Sequence, residues 1–297
     1  MEDELTIGAV AERAGVAPSA LRFYEAEGLI TSVRADSGHR RFHRDVLRRV
    51  AFIRVAQQVG LSLGDIRSAL ATLPDGRTPD KRDWERLSRG WRPRVDEQIA
   101  QLERMRDLFD LAEAHRDVRL DVVHGLLDHP AYEPRLTAFC ILDFKARARL
   151  PDDERRRLYE LYLERHDRIT TWGMVDRAAP RVVGGHLAGR DLAPLHDLAA
   201  AAAPLRRRTA ITAPLFFVKD GGDADLAGGF AIATRLAHDP EAVVHNAVGI
   251  YLKHAGRRDP TALRSFLDAH AATMPRKALR LAIEDLEPGE RAGYLRT

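Results

Sequence analysis

The sequence is short of four things, and each shortage excludes something. It has a single cysteine, Cys140, which rules out a disulfide framework and any multi-cysteine cluster and suits a reducing cytoplasm. No apolar run approaches the roughly 18 residues of a membrane span, and the acidic opening "MEDEL" is no signal peptide. Aromatic residues are scarce at 6%, while Ala and Arg abound, so helix formers dominate. Net charge is only +3, so any strongly basic surface has to be local.

What is present fits about two globular domains: 297 residues, 45% hydrophobic and 31% charged. One local basic stretch exists. Residues 34–54, "RADSGHRRFHRDVLRRVAFIR", hold seven Arg against two Asp, a run that by itself describes only a solvated face.

Along the chain, residues 5–73 read as short amphipathic segments separated by turn residues, and "PDGRTPD" (74–80) is a breaker. From Asp83 to about Glu113, Trp84, Leu87, Trp91, Val95, Ile99, Leu102, Met105 and Phe109 recur at steps of three or four, which places them on one helical stripe. Pro93 predicts a helix start or a kink. The narrow stripe favours a dimerising coiled coil over a core helix. From residue 116 onward, "LLDHPAYEPRLTAFCIL" (126–142), "AAAPLRRRTAITAPL" (201–215) and "LAHDPEAVVHNAVGIYL" (236–252) repeat a short break before a helix, the pattern of stacked HEAT-like hairpins. The expected fold is therefore mainly α: a head at 1–73, a long dimerisation helix at 83–115 and an all-α repeat domain at 116–297.

In "IGAVAERAG" the residues Ile7, Val10, Ala11 and Ala14 form one face, and Gly15 can end the helix. "VAPSALRFYEAEG" follows, with Pro18 suited to a first turn and Gly28 as a stop. Two short helices across a glycine turn make a helix-turn-helix. Its second helix is expected to present Ser19, Arg22 and Tyr24 toward a major groove.

The run "LRFYEAEGLITSVRADSGHRRF", with "HRDVLRRVAFIRVAQQVGLSLGDIRSAL" after it, resembles the DNA-binding region of the MerR family of transcription regulators. The resemblance covers residues 5–73, and "DWERLSRGWRPRVDEQIAQLERMRDLFD" is similar to the dimerisation helix of that family's SoxR branch. It implies a winged helix-turn-helix head and a homodimer through an antiparallel coiled coil on an inverted-repeat promoter. It also implies that Arg22 and Tyr24 contact DNA, that Arg40 and Arg41 in the wing grip phosphate, and that Arg54 touches the backbone. Guanidinium groups suit phosphate because they bind it in a planar fork and release counterions, while sequence choice would rest on Ser19 and Arg22. The chain departs from the SoxR branch in carrying "LAEAHRDVRLDV" where cysteines would hold an iron–sulfur centre. No metal or other cofactor is expected, because the twelve His are scattered without a ligand spacing on one helix face.

The segment "DVVHGLLDHPAYEPRLTAFCILDFKARARLPDDERRRLYELYLERHDRITTWGMVDRAAPRVVGGHL", with later stretches to about residue 286, resembles the AlkD family of DNA alkylation repair glycosylases. That family implies a HEAT-like stack whose concave face binds duplex DNA and releases cationic alkylated bases. Asp176 matches its catalytic carboxylate, Trp172 the neighbouring aromatic and Arg208 the basic residue beside them. A carboxylate stabilises the cationic sugar as the base leaves, and an aromatic face attracts a cationic purine. Trp172 and Asp176 are one helical turn apart, on one face. Two departures weaken the parallel: Leu205 and Ile250 stand where the family carries further tryptophans, and the family's first helices are missing. The alternative for the trio is structural, with Trp172 in the core and Asp176 in an ion pair with Arg208.

Together these readings point to a regulator that binds double-stranded promoter DNA and engages RNA polymerase by twisting an over-long promoter spacer. Its helical domain would sense alkylated DNA or a small-molecule effector, without enzymatic activity. The rival is a DNA glycosylase for alkylated purines that uses the regulator head as a tether. Both imply a cytoplasmic, nucleoid-associated protein without membrane contact.

Overall fold

Two units divide the chain, Met1–Arg104 and Met105–Thr297. The computed structural model describes residues 4–35, 38–58, 60–74 and 79–296, apart from the side chains of Trp91 and Arg94. Residues 75–78 of the expected breaker and the Trp91 ring of the expected stripe therefore lie outside the described residues.

The first unit opens with a short strand, β1 (Glu4–Thr6), then α1 (Ile7–Ala14) and α2 (Pro18–Ala26). Thr6 caps α1, its hydroxyl accepting from the Ala9 amide at 3.2 Å, and Gly15 ends the helix at φ 62°, where a side chain would be strained. Pro18 sits in the first turn of α2, where its missing N–H leaves no bond unmade. β2 (Val33–Arg34) and β3 (Arg40–His43) form the wing, and β1 pairs on the other side of β3 in the antiparallel order β1-β3-β2. Leu5 faces Phe42 and Arg34 faces Arg40 across this sheet. α3 (Val46–Gln58) and α4 (Leu63–Leu70) close the head. Leu21, Phe42, Val50, Ile53 and Ile66 are removed from solvent, each worth about 1.5–3 kcal/mol of burial.

α5 (Lys81–Ala114) starts well before Pro93 and runs through it, so the proline marks a missing hydrogen bond rather than the helix start. Its stripe is used unevenly. Leu87 is buried and the Trp84 ring lies 5.8 Å from that of Phe52. Ile99, Leu102 and Met105 are 48%, 61% and 40% exposed, so the middle of the stripe is open to solvent. Leu108 and Phe109 pack on the core of the second unit.

The second unit is helical throughout its described residues. α6 (Leu120–Leu127), α7 (Tyr132–Ala146), α8 (Asp152–Glu164) and α9 (Trp172–Ala179) lead into a π-helical turn at Pro180–Gly184. α10 (Gly185–Leu187), α11 (Ala193–Ala199), α12 (Pro204–Thr212), α13 (Leu215–Asp220) and α14 (Asp223–Arg235) follow. α15 (Ala242–Arg258), α16 (Pro260–His270), α17 (Arg276–Ala282) and α18 (Pro288–Arg296) complete it. The three breaks read in the sequence fall between α6 and α7, α11 and α12, and α14 and α15, each joining consecutive helices. At Gly249 a Cβ would stand 2.7 Å from the Ala278 carbonyl, so the missing side chain lets α15 and α17 meet backbone to backbone.

A polar knot lies inside this stack. Asp143 of α7 has no solvent exposure and faces three guanidinium groups, Arg147 at 2.8 Å, Arg177 at 3.2 Å and Arg181 at 3.0 Å. Arg177 also lies over the rings of Phe109 and Phe144, at 4.8 and 4.6 Å from their centroids. The aromatic faces and the buried carboxylate together hold its charge out of water.

Candidate nucleic-acid interface and candidate cleft

In the head, helical phase decides which side chains α2 can offer. Leu21 and Tyr24 are three residues apart and both point into the core, which turns Ser19, Arg22 and Phe23 outward. Tyr24 is thus not presented outward as expected. It is 6% exposed, and its hydroxyl donates to Gln57 Oε1 of α3 at 2.9 Å, fastening one helix to the other. Phe23, 46% exposed beside Arg22, is the outward aromatic of α2 and was not among the expected site residues. The spacing of Leu21 and Tyr24 was the cue that could have found it.

The wing is braced against α2. Arg40 Nε donates to Glu25 Oε2 at 2.8 Å, and the Ser32 hydroxyl donates to the other oxygen of the same carboxylate. The Ser32 hydrogen bond, aided by Arg40 and opposed by burial, holds the Glu25 carboxyl below its ordinary pKa. Arg41 is half-buried in the central strand between Thr6 and Val33. Arg54 turns back on the protein, its Nη1 donating to the Ala14 carbonyl at 2.7 Å at the end of α1. Of the six head residues singled out from the sequence, Ser19 and Arg22 stand open on α2, while Tyr24, Arg40 and Arg54 hold intramolecular contacts.

In the second unit, Trp172, Asp176 and Arg208 do come together. Asp176 lies one turn after Trp172 on α9, and Arg208 of α12 donates Nε to Oδ1 at 2.8 Å and Nη2 to Oδ2 at 2.6 Å. Its remaining nitrogen donates to the Val243 carbonyl, and its guanidinium carbon sits 5.5 Å from the Trp172 ring centroid. Arg208 is 3% exposed, whereas the Asp176 side chain keeps 32% of its surface open. The ion pair of the structural alternative is therefore present, but Trp172 is no core residue at 60% exposure. The positions lacking the expected tryptophans, Leu205 and Ile250, are half-buried aliphatics.

Behind the trio runs a buried hydrogen-bonded chain. Tyr162 Oη lies 3.0 Å from Thr209 Oγ1, which lies 2.9 Å from His166 Nε2. Burial, with Arg206 nearby, lowers the His166 pKa to about 4, so its ring is neutral at pH 7. Burial raises the Tyr162 phenol well above its ordinary value. These groups fix α12 behind the open face, which carries one flat aromatic surface and one partly open carboxylate. Such a pair attracts a cation and stabilises positive charge forming beside it. Among the described residues no group of three His, Cys, Asp or Glu side chains is placed to hold a metal ion, and no helix is long and apolar enough to cross a membrane.

The fold and site define a winged helix-turn-helix DNA-binding module joined in one chain to an all-α domain with an open carboxylate–aromatic face. Comparison with known families agrees unit by unit. Residues 5–73 match the family described as MerR HTH family regulatory protein, residues 47–110 the one described as MerR, DNA binding, and residues 101–286 that of DNA alkylation repair enzyme. The chain belongs to the MerR family through its head and to the DNA alkylation repair enzyme family through the longer remainder. Among its relatives is an HTH-type transcriptional activator SoxR homolog of Chromobacterium violaceum, 56% identical over 109 residues, which are 37% of this chain and 74% of the relative. The HTH-type transcriptional regulator CueR of Salmonella typhimurium is 30% identical over 143 residues, 44% of this chain and all of the relative. Nodulation protein NolA of a Bradyrhizobium species is 36% identical over 117 residues, 39% of this chain and 46% of the relative.

Proposed function

We propose that this chain is a MerR-type transcriptional regulator that binds an inverted-repeat promoter as a homodimer, with its helical domain sensing alkylated DNA or a small-molecule effector. The observation that carries the reading is the outward face of α2, where Ser19 and Arg22 are open while Leu21 and Tyr24 anchor the helix from behind. Arg22 suits bidentate contact with a guanine edge or a phosphate, and Ser19 suits a base edge. The exposed Ile99, Leu102 and Met105 supply a surface for a second copy of α5. Distortion of promoter DNA would engage RNA polymerase, provided the sensed molecule favours one conformer over the other. Footprinting on promoter fragments tests this: the wild type is expected to protect an inverted repeat, and Arg22→Ala to protect nothing. A wild-type protein that protects no such site removes the reading.

A second reading is favoured by the gathering of Trp172, Asp176 and Arg208 on an open face. In it, the helical domain releases alkylated purines from duplex DNA, with Asp176 stabilising the cationic sugar. Incubation with methylated DNA tests it through free methylpurine, whose release Asp176→Asn is expected to stop.

A further inference from the structure

One cavity of the second unit lies apart from the Trp172 face. It is a pocket of about 770 Å³ formed by the end of α5, the connection to α6, the last turn of α7 with the loop after it, and α8. Its volume is that of a site for a drug-sized molecule. Part of its lining is apolar, with Phe144 and Leu158 buried and Leu150 half-buried.

Of the charges around this apolar lining, all but Lys145 belong to exposed residues. Five arginine and lysine side chains line the pocket against three carboxylates. The carboxylates, Glu113, Asp117 and Glu154, all belong to exposed residues where water screens them. Lys145 is half-buried, and among the described residues no carboxylate lies within ion-pair distance of it. Arg147 is already oriented. Its Nε and Nη2 donate to the fully buried Asp143, its guanidinium carbon lies 4.5 Å from the Phe144 ring centroid, and among the described residues Nη1 has no hydrogen-bond partner. A half-buried ammonium and a pre-set guanidinium beside apolar walls favour a ligand that brings negative charge and an apolar body together.

We infer that this pocket is the effector site of the helical domain and takes an organic anion with an apolar body. Lys145 and the Nη1 side of Arg147 meet its acidic group, and Leu150 and Leu158 meet its body. This rests on the reading that the domain senses a small molecule. It assigns that sensing to a place other than the Trp172–Asp176 face.

The experiment titrates the full chain with the aromatic sulfonate 8-anilinonaphthalene-1-sulfonate and with N-phenyl-1-naphthylamine, which has the same rings and no charge. The expected result is one saturable sulfonate site per chain, with the neutral dye roughly tenfold weaker, the size of one charge-assisted hydrogen bond. Lys145→Glu is expected to weaken sulfonate binding by at least about tenfold, with Lys145→Met intermediate and the exposed Lys219→Glu without effect. Unchanged far-ultraviolet circular dichroism confirms that the variants are folded. Equal binding of both dyes, or sulfonate binding indifferent to Lys145→Glu, overturns the assignment. The promoter footprint without dye is read in parallel. A protein that protects its promoter and binds no sulfonate refutes this site alone, and one that binds sulfonate at Lys145 without protecting DNA refutes the regulator reading alone.

Discussion

Arg208 holds Asp176 in a two-pronged grip, Nε to Oδ1 and Nη2 to Oδ2, from a position sealed almost completely from solvent. The fork leaves the carboxylate partly open on the other side, which is the arrangement of a group fixed in place yet reachable. It also makes Arg208 a structural keystone. Arg208→Met is expected to lower unfolding free energy by about 2 kcal/mol, less than for a fully buried pair because Asp176 retains some hydration. Urea denaturation checks this, and Asp176→Asn in the same background is expected to recover part of the loss.

Tyr24 is a brace between α2 and α3. Tyr24→Phe is expected to cost about 1 kcal/mol of stability through its lost hydrogen bond to Gln57. Promoter affinity, measured by gel shift below the unfolding range, is expected to stay at the wild-type level. A selective loss of affinity with unchanged stability would instead make Tyr24 a DNA-contacting group.

His166 gives the second unit an acid sensitivity of known sign. Its folded pKa of about 4 lies below the ordinary value near 6.5 that the unfolded chain has, so the unfolded state takes up the proton first as pH falls. The stability linked to this ring is complete above about pH 6.5 and is lost progressively down to about pH 4, amounting to at most about 3 kcal/mol. Urea unfolding at pH 7, 5.5 and 4 is expected to show a steeper decline for the wild type than for His166→Gln, which keeps a partner for Thr209.

Cys140 is buried, and burial pushes its thiol up to about 11. Ellman's reagent is expected to leave the native protein unmodified at pH 8 and to titrate one thiol per chain after denaturation. Rapid reaction in the native state would mean that α7 opens to solvent.

Much of this fold is legible in local spacing. The stripe on α5, the glycine turn at Gly15 and the breaks between paired helices all follow from contacts within a few residues, and the mainly α architecture is the one observed. Tyr24 was misplaced because a tyrosine suits both a surface and a core, and only the facing Gln57 decides between them. β1 was missed because Glu4–Thr6 becomes a strand only by pairing with His43, Phe42 and Arg41, far along the chain. In the cleft, the one-turn spacing of Trp172 and Asp176 was legible, whereas the exposure of Trp172 depends on how helices distant in sequence pack. The knot around Asp143 is similar. Arg147 is one turn away on the same helix, but Arg177 and Arg181 reach it only after α9 and the π-helical turn fold back.

That knot has a consequence for substitution. Three cations share one sealed anion, so losing one arginine leaves two to neutralise Asp143, whereas losing Asp143 strands three positive charges against one another. Tolerance to change at this spot is therefore lopsided. Exchange of a single arginine is expected to be tolerated better than exchange of the aspartate.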